Sequence, residues 1–118
     1  MQQFLALSVV APNGTRIAQG VKTLEVCSWV PTELPLKDLL IVENQNFLIN
    51  DDEEEGIAVA LVDVASIHVW QNDEIEPACA TSWSEGYFAW VLSNVRPLKQ
   101  KLKVQAKRKI YQVALDFP

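Results

Sequence analysis

The chain has 118 residues, of which 49% are hydrophobic and 21% charged, values typical of one folded domain and unlike those of a disordered segment. Its longest purely apolar run covers residues 57–62, which is far short of the roughly 20 residues that a membrane-spanning helix needs. The apolar start lacks the basic region of a secretory signal, and a net charge of −5 taken alone disfavours a polyanionic partner. We therefore expect a soluble cytoplasmic domain that does not act at a membrane.

Strand and helix signals alternate in the first half of the chain. Residues 3–10, rich in apolar and β-branched side chains, predict a strand. Pro12 suits a first helical position and Gly20 the residue after a helix end, so we predict a helix of about two turns between them. Gly14 weakens that helix. This half is completed by strands at residues 21–30 and 38–43 and by a polar, acidic loop at residues 44–55.

The second half of the chain is also rich in strand patterns. Residues 57–70 carry the strongest of them, long enough to contain a bulge. The aromatic segment 86–95 predicts a strand that ends at Pro97, and strict alternation at residues 102–107 predicts a half-exposed strand. A loop at residues 72–84 and a last strand at residues 110–117 complete the pattern. The chain of 118 residues is thus predicted to be one α+β, mainly β domain, a small barrel of about six strands with one or two short helices.

Cysteine and histidine usage gives no sign of metal chemistry. The two cysteines, Cys27 and Cys79, are far apart, and His68 is the single histidine, so the ligand spacing of a structural zinc site is absent. The cysteines predict reduced, partly buried thiols; the alternative is a single disulfide, although nothing else suggests an oxidising compartment. No local signature supports a catalytic pair of either cysteine with His68. We expect no metal and no cofactor.

The net charge conceals a division of the chain. Residues 1–95 hold fourteen acidic and three basic residues, whereas residues 96–118 hold seven basic residues and one acidic residue. Lys101, Lys103 and Lys107 share one parity, so on a strand they form a row with steps of about 6.6 Å. Such a row either follows a phosphate backbone or protects an edge strand from aggregation, and the pattern favours neither.

Five consecutive acidic residues, 51–55, predict a solvated loop because like charges repel one another. They lack the spacing and central glycine of a calcium-binding EF-hand. A second hypothesis is that this loop shields the basic region until a polyanion displaces it.

The segment Gly20-Val21-Lys22-Thr23-Leu24-Glu25 joins the predicted helix to a strand. At such a junction Lys22 can be held near the floor of a cleft, where it can stabilise a developing anion, and Glu25 can orient it or move a proton. Residues three apart in a regular strand point to opposite faces, so the two meet only if Lys22 precedes the strand or a bulge intervenes. The alternative is a surface ion pair, which contributes less than about 1 kcal/mol.

Aromatic residues cluster late in the chain, at Tyr87, Phe88 and Trp90. They offer either a stacking surface for a base or the core of a small barrel, and we expect at least two of them in the core. The polar residues at the end of that strand, among them Asn94 and Arg96, are better placed to meet a ligand.

Together these segments resemble an ASCH domain of the PUA-like superfamily over nearly the whole chain. The residues that carry the resemblance are Gly20-x-Lys22-x-x-Glu25, Ser28-Trp29 and the run Trp90-x-Leu92-Ser93-Asn94-Val95-Arg96-Pro97-Leu98. It implies a small β-barrel with a cleft beside the first helix, lined by the motif's lysine and glutamate. Family members bind RNA or act on nucleotide derivatives, some as N4-acetylcytidine amidohydrolases and others as metal-independent ribonucleases. This chain departs from the pattern at Cys27, where many members carry a basic residue, and at Asn13, where many carry an aromatic one.

Two functions follow as hypotheses. The first is a module that binds RNA or a modified nucleoside; its candidate contacts are Arg16, Trp90, Asn94, Arg96, Lys101, Lys103, Lys107 and Arg108. The second is a small metal-independent hydrolase whose candidate catalytic residues are Lys22, Glu25 and Ser93. In it, Lys22 activates water or stabilises an oxyanion, Glu25 moves the proton and Ser93 donates a hydrogen bond. The oligomeric state is not indicated by the sequence.

Overall fold

The computed structural model describes residues 1–116. In that range it contains one helix, α1 (Asn13–Ala18), and six strands: β1 (Gln2–Val10), β2 (Leu24–Cys27), β3 (Leu36–Asn44), β4 (Glu55–Val69), β5 (Phe88–Gln105) and β6 (Ile110–Leu115). The strands form one mixed sheet in the order β2-β5-β4-β3-β1-β6. The prediction of a mainly β fold with about six strands and a short helix is confirmed, although the sheet is not closed into a complete barrel. No helix within residues 1–116 is long and apolar enough to cross a membrane.

Both faces of the sheet are buried, because apolar residues occupy both parities of its central strands. On β1, Leu7 and Val9 join the apolar cluster that contains Trp90, whereas Phe4 and Ala6 join a second cluster on the opposite face. Among the six strands of residues 1–116, only β1 and β3 pair in parallel; the other neighbours are antiparallel. Helix α1 packs on the first cluster through Ile17.

Helix α1 docks closely on β3, and a glycine makes this approach feasible. A Cβ atom on Gly14 would lie 2.7 Å from the Cβ of Glu43, so no larger residue fits without a shift. The carboxylate of Glu43 accepts hydrogen bonds from the backbone N–H and the hydroxyl of Thr15, at 2.7 and 3.0 Å. Gly14, which weakens the helix by propensity, is therefore required by packing. The helix ends before Gly20, whose φ of 78° suits a glycine stop.

Strand β5 differs from the prediction, because it continues through Pro97 for 18 residues. The expected break at Pro97 is wrong, and residues 88–95 and 102–105 of the two predicted strands belong to this one strand. Pro97 pairs with Ala60 beside a register shift, where β5 carries extra residues relative to β4. At such an irregularity the missing proline N–H leaves no gap in the hydrogen-bond ladder.

Candidate functional site

A cleft of about 480 Å³ opens between β1 and β2, two strands that lie far apart in the sheet order. The sheet therefore curls, and the cleft lies where its two ends approach one another without pairing. Its size suits a small ligand, since ligand pockets span roughly 300–1,000 Å³. It is lined by residues 7–10, Asn13, residues 25–29, Asn44, Phe47, Leu48, Tyr87 and residues 107–109.

Lys22 and Glu25 form a buried ion pair at the base of this cleft. Their exposed fractions are 4% and 8%, and Lys22 Nζ lies 3.8 Å from Glu25 Oε1. The two side chains meet because β2 begins only at Leu24, so Lys22 precedes the regular strand, as the parity argument requires. Lys22 Nζ also donates a hydrogen bond to the carbonyl of Ala78. The pair is therefore not a surface ion pair; Glu25 lines the cleft, and Lys22 lies behind it.

The two oxygens of the Glu25 carboxyl have different environments. Its Oε1 accepts a hydrogen bond from the backbone N–H of Val26 at 3.0 Å. Its Oε2 is buried and has no hydrogen-bond partner among residues 1–116. Burial raises the pKa of Glu25, while Lys22 and the Val26 N–H lower it by smaller amounts. A carboxyl of raised pKa with one free oxygen can accept, donate or transfer a proton at the cleft wall.

Cys27, two residues after Glu25, has a thiol that is held in its neutral form. Burial raises the pKa of the Cys27 thiol, the charge of Glu25 adds to this, and Lys22 opposes it. Such a thiol is a poor nucleophile. Both cysteines are free. Within residues 1–116, no three histidine, cysteine, aspartate or glutamate side chains cluster as metal ligands would.

Aromatic rings form the wall next to Glu25. Trp90 pairs with Glu25 across β2 and β5 and is fully buried, and Phe88 is partly buried against the same cluster. Two of the three late aromatic residues thus pack in the core, as expected, and Trp90, a candidate contact, is not open to a ligand. The Trp90 ring meets the Trp29 ring edge to face at 5.0 Å. Trp29 and the exposed Tyr87 line the cleft. On this wall the rings available to a ligand are those of Trp29 and Tyr87, while Trp90 supports Trp29 from behind.

Three consecutive cationic residues, Lys107, Arg108 and Lys109, follow β5 and line the same cleft; we call them the basic segment. Lys109 Nζ lies 5.7 Å from the centre of the Trp29 ring, within the range of a cation–π contact. The basic segment thus brings positive charge to the side of the cleft that also holds the aromatic wall.

The acidic run 51–55 contacts the basic segment. Lys107 Nζ lies 2.9 and 3.0 Å from the two carboxylate oxygens of Asp52, and this hydrogen bond raises the pKa of Lys107. The backbone N–H of Arg108 donates to Asp51 at 2.8 Å. These contacts are the ones that the shielding hypothesis requires; displacement by a polyanion stays a prediction.

Several of the predicted contact residues lie outside this cleft. Lys101 and Lys103 are exposed on β5, and the row that they begin does not include Lys107, because the strand ends at Gln105. Arg16 is exposed on the last turn of α1. None of these lines the cleft, so a ligand bound there leaves them free for other contacts.

Ser93, Asn94 and Arg96 gather instead around the buried carboxylate of Asp63. Asn94 Nδ2 donates to Asp63 at 3.0 Å, Arg96 donates at 2.8 Å, and the hydroxyl of Ser93 lies 3.5 Å from the Asp63 carbonyl. Asn94 has a φ of 49° at a register shift of β5, a conformation that asparagine tolerates well. This bulge turns the three predicted residues toward Asp63. They do not line the cleft that holds Glu25.

Comparison with known protein families shows to which family the chain belongs. The family model for the ASCH domain matches residues 7–102, most of the chain. The chain belongs to the ASCH domain family. Its fold is similar to that of the ASCH crystal structure from Zymomonas mobilis, with a TM-score of 0.52 and 15% identity over 79% of this chain and 68% of that one. A tyrosine-to-phenylalanine variant of that protein gives a TM-score of 0.53 and 14% identity over 86% and 76% of the two chains. No curated protein sequence matches the chain.

The Asp63 cluster of this ASCH domain predicts a defined acid sensitivity. The hydrogen bond from Asn94 and then the backbone N–H of Asp38 lower the pKa of Asp63, with Arg96 adding to the effect. A lowered folded-state pKa stabilises the fold above the unfolded value of about 3.9, and that stability is lost as the pH falls through the folded value. Asp63→Asn should therefore lower the unfolding free energy at pH 7 by about 1.5–3 kcal/mol, and this loss should become smaller as the pH falls below about 3.9. Urea unfolding at pH 7 and over a series of acid pH values measures this, and a loss that does not change with pH would contradict it.

Two cleft residues of the ASCH domain, Phe47 and Lys109, were not candidates for contact by sequence reasoning. Phe47 lies in an apolar island of a predicted loop, and Lys109, although it shares the odd parity of Lys101, Lys103 and Lys107, follows the alternating segment 102–107. The signal for Phe47 was an aromatic residue in an otherwise polar loop, where no strand or helix pattern explains it.

Proposed function

We propose that this ASCH domain binds RNA or a modified nucleoside in the cleft between β1 and β2. The observation that carries the proposal is that Glu25, the aromatic wall and the basic segment all line one cleft. A nucleotide needs three kinds of contact: a polar group for the edge of the base, a flat apolar surface for its face, and cations for phosphate. The cleft offers one of each on adjacent elements.

In this proposal the base lies against Trp29 and Tyr87, and its polar edge approaches Glu25. The unpaired Glu25 oxygen is buried in the free protein, so a shift of the cleft wall accompanies the contact. Protonated Glu25 donates to an acceptor on the base, and ionised Glu25 accepts from an amino group, so its raised pKa allows either ligand. The phosphate lies on the basic segment. Because residues 1–95 carry a large excess of acidic side chains, phosphate is disfavoured elsewhere and binds at the end of the cleft where the basic segment lies.

A metal-independent hydrolase is the second candidate, and the buried Lys22–Glu25 pair favours it. In this version ionised Glu25 takes a proton from the water that attacks the acyl carbon of an N4-acylcytidine and returns it to the departing cytosine amine. On RNA it takes the proton of the ribose 2′-hydroxyl that attacks the adjacent phosphorus and returns it to the departing 5′-oxygen. Lys22 Nζ lies 3.8 Å from Glu25 Oε1. Lys22 acts as a positioning residue, because its positive charge stabilises the ionised form of Glu25. Ser93, next to Asp63, has no part in a reaction at Glu25.

The test is a titration of the chain with fluorescently labelled single-stranded RNA at two salt concentrations. The logarithm of the affinity falls with that of salt by about 0.7 for each phosphate contacted. Three cations line the cleft, and Lys107 is already paired with Asp52, so two to three effective contacts predict a roughly sevenfold to twentyfold loss between 50 and 200 mM salt. Binding that is insensitive to salt, or the absence of binding at 50 mM, would reject the RNA proposal.

The same preparation distinguishes the two candidates when it is incubated with N4-acetylcytidine and with labelled RNA in the presence of EDTA. Deacylated or cleaved product that disappears in Glu25→Gln would support the hydrolase. Salt-dependent binding without product would support the binding module.

A further inference from the structure

The loop after β3 displays an aromatic ring to solvent, although the loop itself is firmly anchored. Phe47 is 83% exposed, whereas its neighbour Leu48 is buried. On one side of the ring, the Glu54 carboxylate accepts hydrogen bonds from the backbone N–H groups of Gln45 and Asn46. A loop held in this way positions Phe47 outside the core by its own backbone structure.

Anchoring on the other side of the ring is similar. The Glu53 carboxylate accepts hydrogen bonds from the backbone N–H of Ile49 at 3.2 Å and of Asn50 at 2.8 Å. The acidic run therefore has a structural role, since its carboxylates tie the loop on both sides of Phe47. An exposed aromatic side chain on an ordered loop is unfavourable in the free protein, because its apolar surface stays in water.

The exposed ring lies at the cleft. Phe47 and the basic segment line the same cavity, together with Trp29. An apolar ring beside three cations suits a ligand that carries a flat apolar group next to an anionic group. A nucleotide chain has this chemistry, since bases stack on aromatic rings while phosphates pair with lysine and arginine. An apolar peptide would gain from Phe47 but not from the basic segment.

We infer that Phe47 is a second stacking platform, and that the ligand is a single-stranded oligonucleotide of at least two nucleotides and not a free nucleoside. This inference rests on the proposed function. One base enters the cleft toward Glu25 and Trp29, the neighbouring base stacks on Phe47, and the phosphate that joins them lies on the basic segment. Single-stranded RNA fits this arrangement because its bases are free to separate, whereas the bases of a duplex are paired and stacked.

The experiment compares two ligands, a mononucleotide and a six-nucleotide single-stranded RNA of the same base, on the full chain. Phe47→Ala should weaken hexanucleotide binding by roughly 5- to 100-fold, the range that stacking of one base provides, and leave mononucleotide binding unchanged. Phe47→Trp should retain hexanucleotide binding. The matched control is Ile49→Ala, because Ile49 is 72% exposed in the same loop and does not line the cleft.

The outcomes separate the inference from the proposed function. If the wild-type chain binds neither ligand, the proposed function and the inference both fail. If the chain binds RNA but Phe47→Ala behaves like Ile49→Ala, or weakens both ligands equally, the inference alone fails. Both substituted side chains are exposed, so we expect unchanged unfolding midpoints, and a loss of affinity then reports on the contact itself.

Discussion

Arg108→Glu should weaken binding of single-stranded RNA by about 10- to 100-fold, because a hydrogen bond to a charged group contributes about 1.5–3 kcal/mol. Arg108 lines the cleft beside the aromatic wall, so its guanidinium is one of the cations that meet phosphate in the proposed complex. Fluorescence anisotropy of a labelled oligonucleotide at 0.15 M salt measures the effect. The slope of affinity against salt should also decrease by about one phosphate contact.

Lys103→Glu is the matched control for this charge reversal. It changes the net charge by the same amount, but Lys103 lies on β5 and does not line the cleft. Salt at 0.15 M screens an exposed charge that makes no direct contact with the RNA, so we expect less than a threefold loss. Equal losses in the two variants would place the RNA along β5, and no loss in either would exclude the basic segment as its binding surface.

Lys22→Met should destabilise the fold by about 3–5 kcal/mol, the usual cost of removing one partner of a buried ion pair. The change leaves the Glu25 carboxyl buried without its cation. The pKa of Glu25, already raised by burial, then rises further. Since the folded state binds this proton more tightly than the unfolded chain does, the unfolding free energy decreases as the pH rises above about 4.3. The loss should therefore be larger at pH 8 than at pH 5, as measured by urea unfolding followed by tryptophan fluorescence.

The double variant Lys22→Met/Glu25→Gln is the control, because it removes both charges. It should recover most of the stability at pH 8, since a buried pair replaced by neutral groups is often close to neutral in free energy. A single variant as stable as the wild type, or a double variant no more stable than the single one, would mean that Glu25 and Lys22 are not coupled in the folded protein.

The motif region was predictable to the level of side-chain geometry. The strand parity of Lys22 and Glu25 allowed contact only if Lys22 preceded β2 or a bulge intervened, and the first arrangement is the one found. What local pattern did not indicate is that Lys22 lies behind Glu25 and donates to Ala78, a residue more than fifty positions away. A simple loss of activity in a Lys22 variant would therefore mix catalysis with folding.

The remaining site depends on long-range structure. Pro97 ends a strand by local rules, but an irregular pairing with β4 accommodates it, so β5 is one long strand. Asn94 turns toward Asp63 because β5 bulges there, an event that alternation of side chains does not predict. The basic segment precedes β6, and β6 pairs with β1 although the two strands lie at opposite ends of the chain. This long-range pairing, together with the curl of the sheet, brings the basic segment to the cleft.

Asp51 and Asp52 bind the basic segment in the free protein. They therefore affect the number of phosphate contacts that a salt titration of RNA binding would indicate. The slope of such a titration measures counterions released, and a lysine already neutralised by a carboxylate has few to release. Lys107 is in that state, since it lies within 3.0 Å of both Asp52 oxygens. When RNA replaces Asp52, Lys107 exchanges one anion for another, and the freed carboxylate takes up cations from the solution. The slope will then be smaller than the number of phosphates in contact, and Asp52→Asn will make it steeper although no contact has been added.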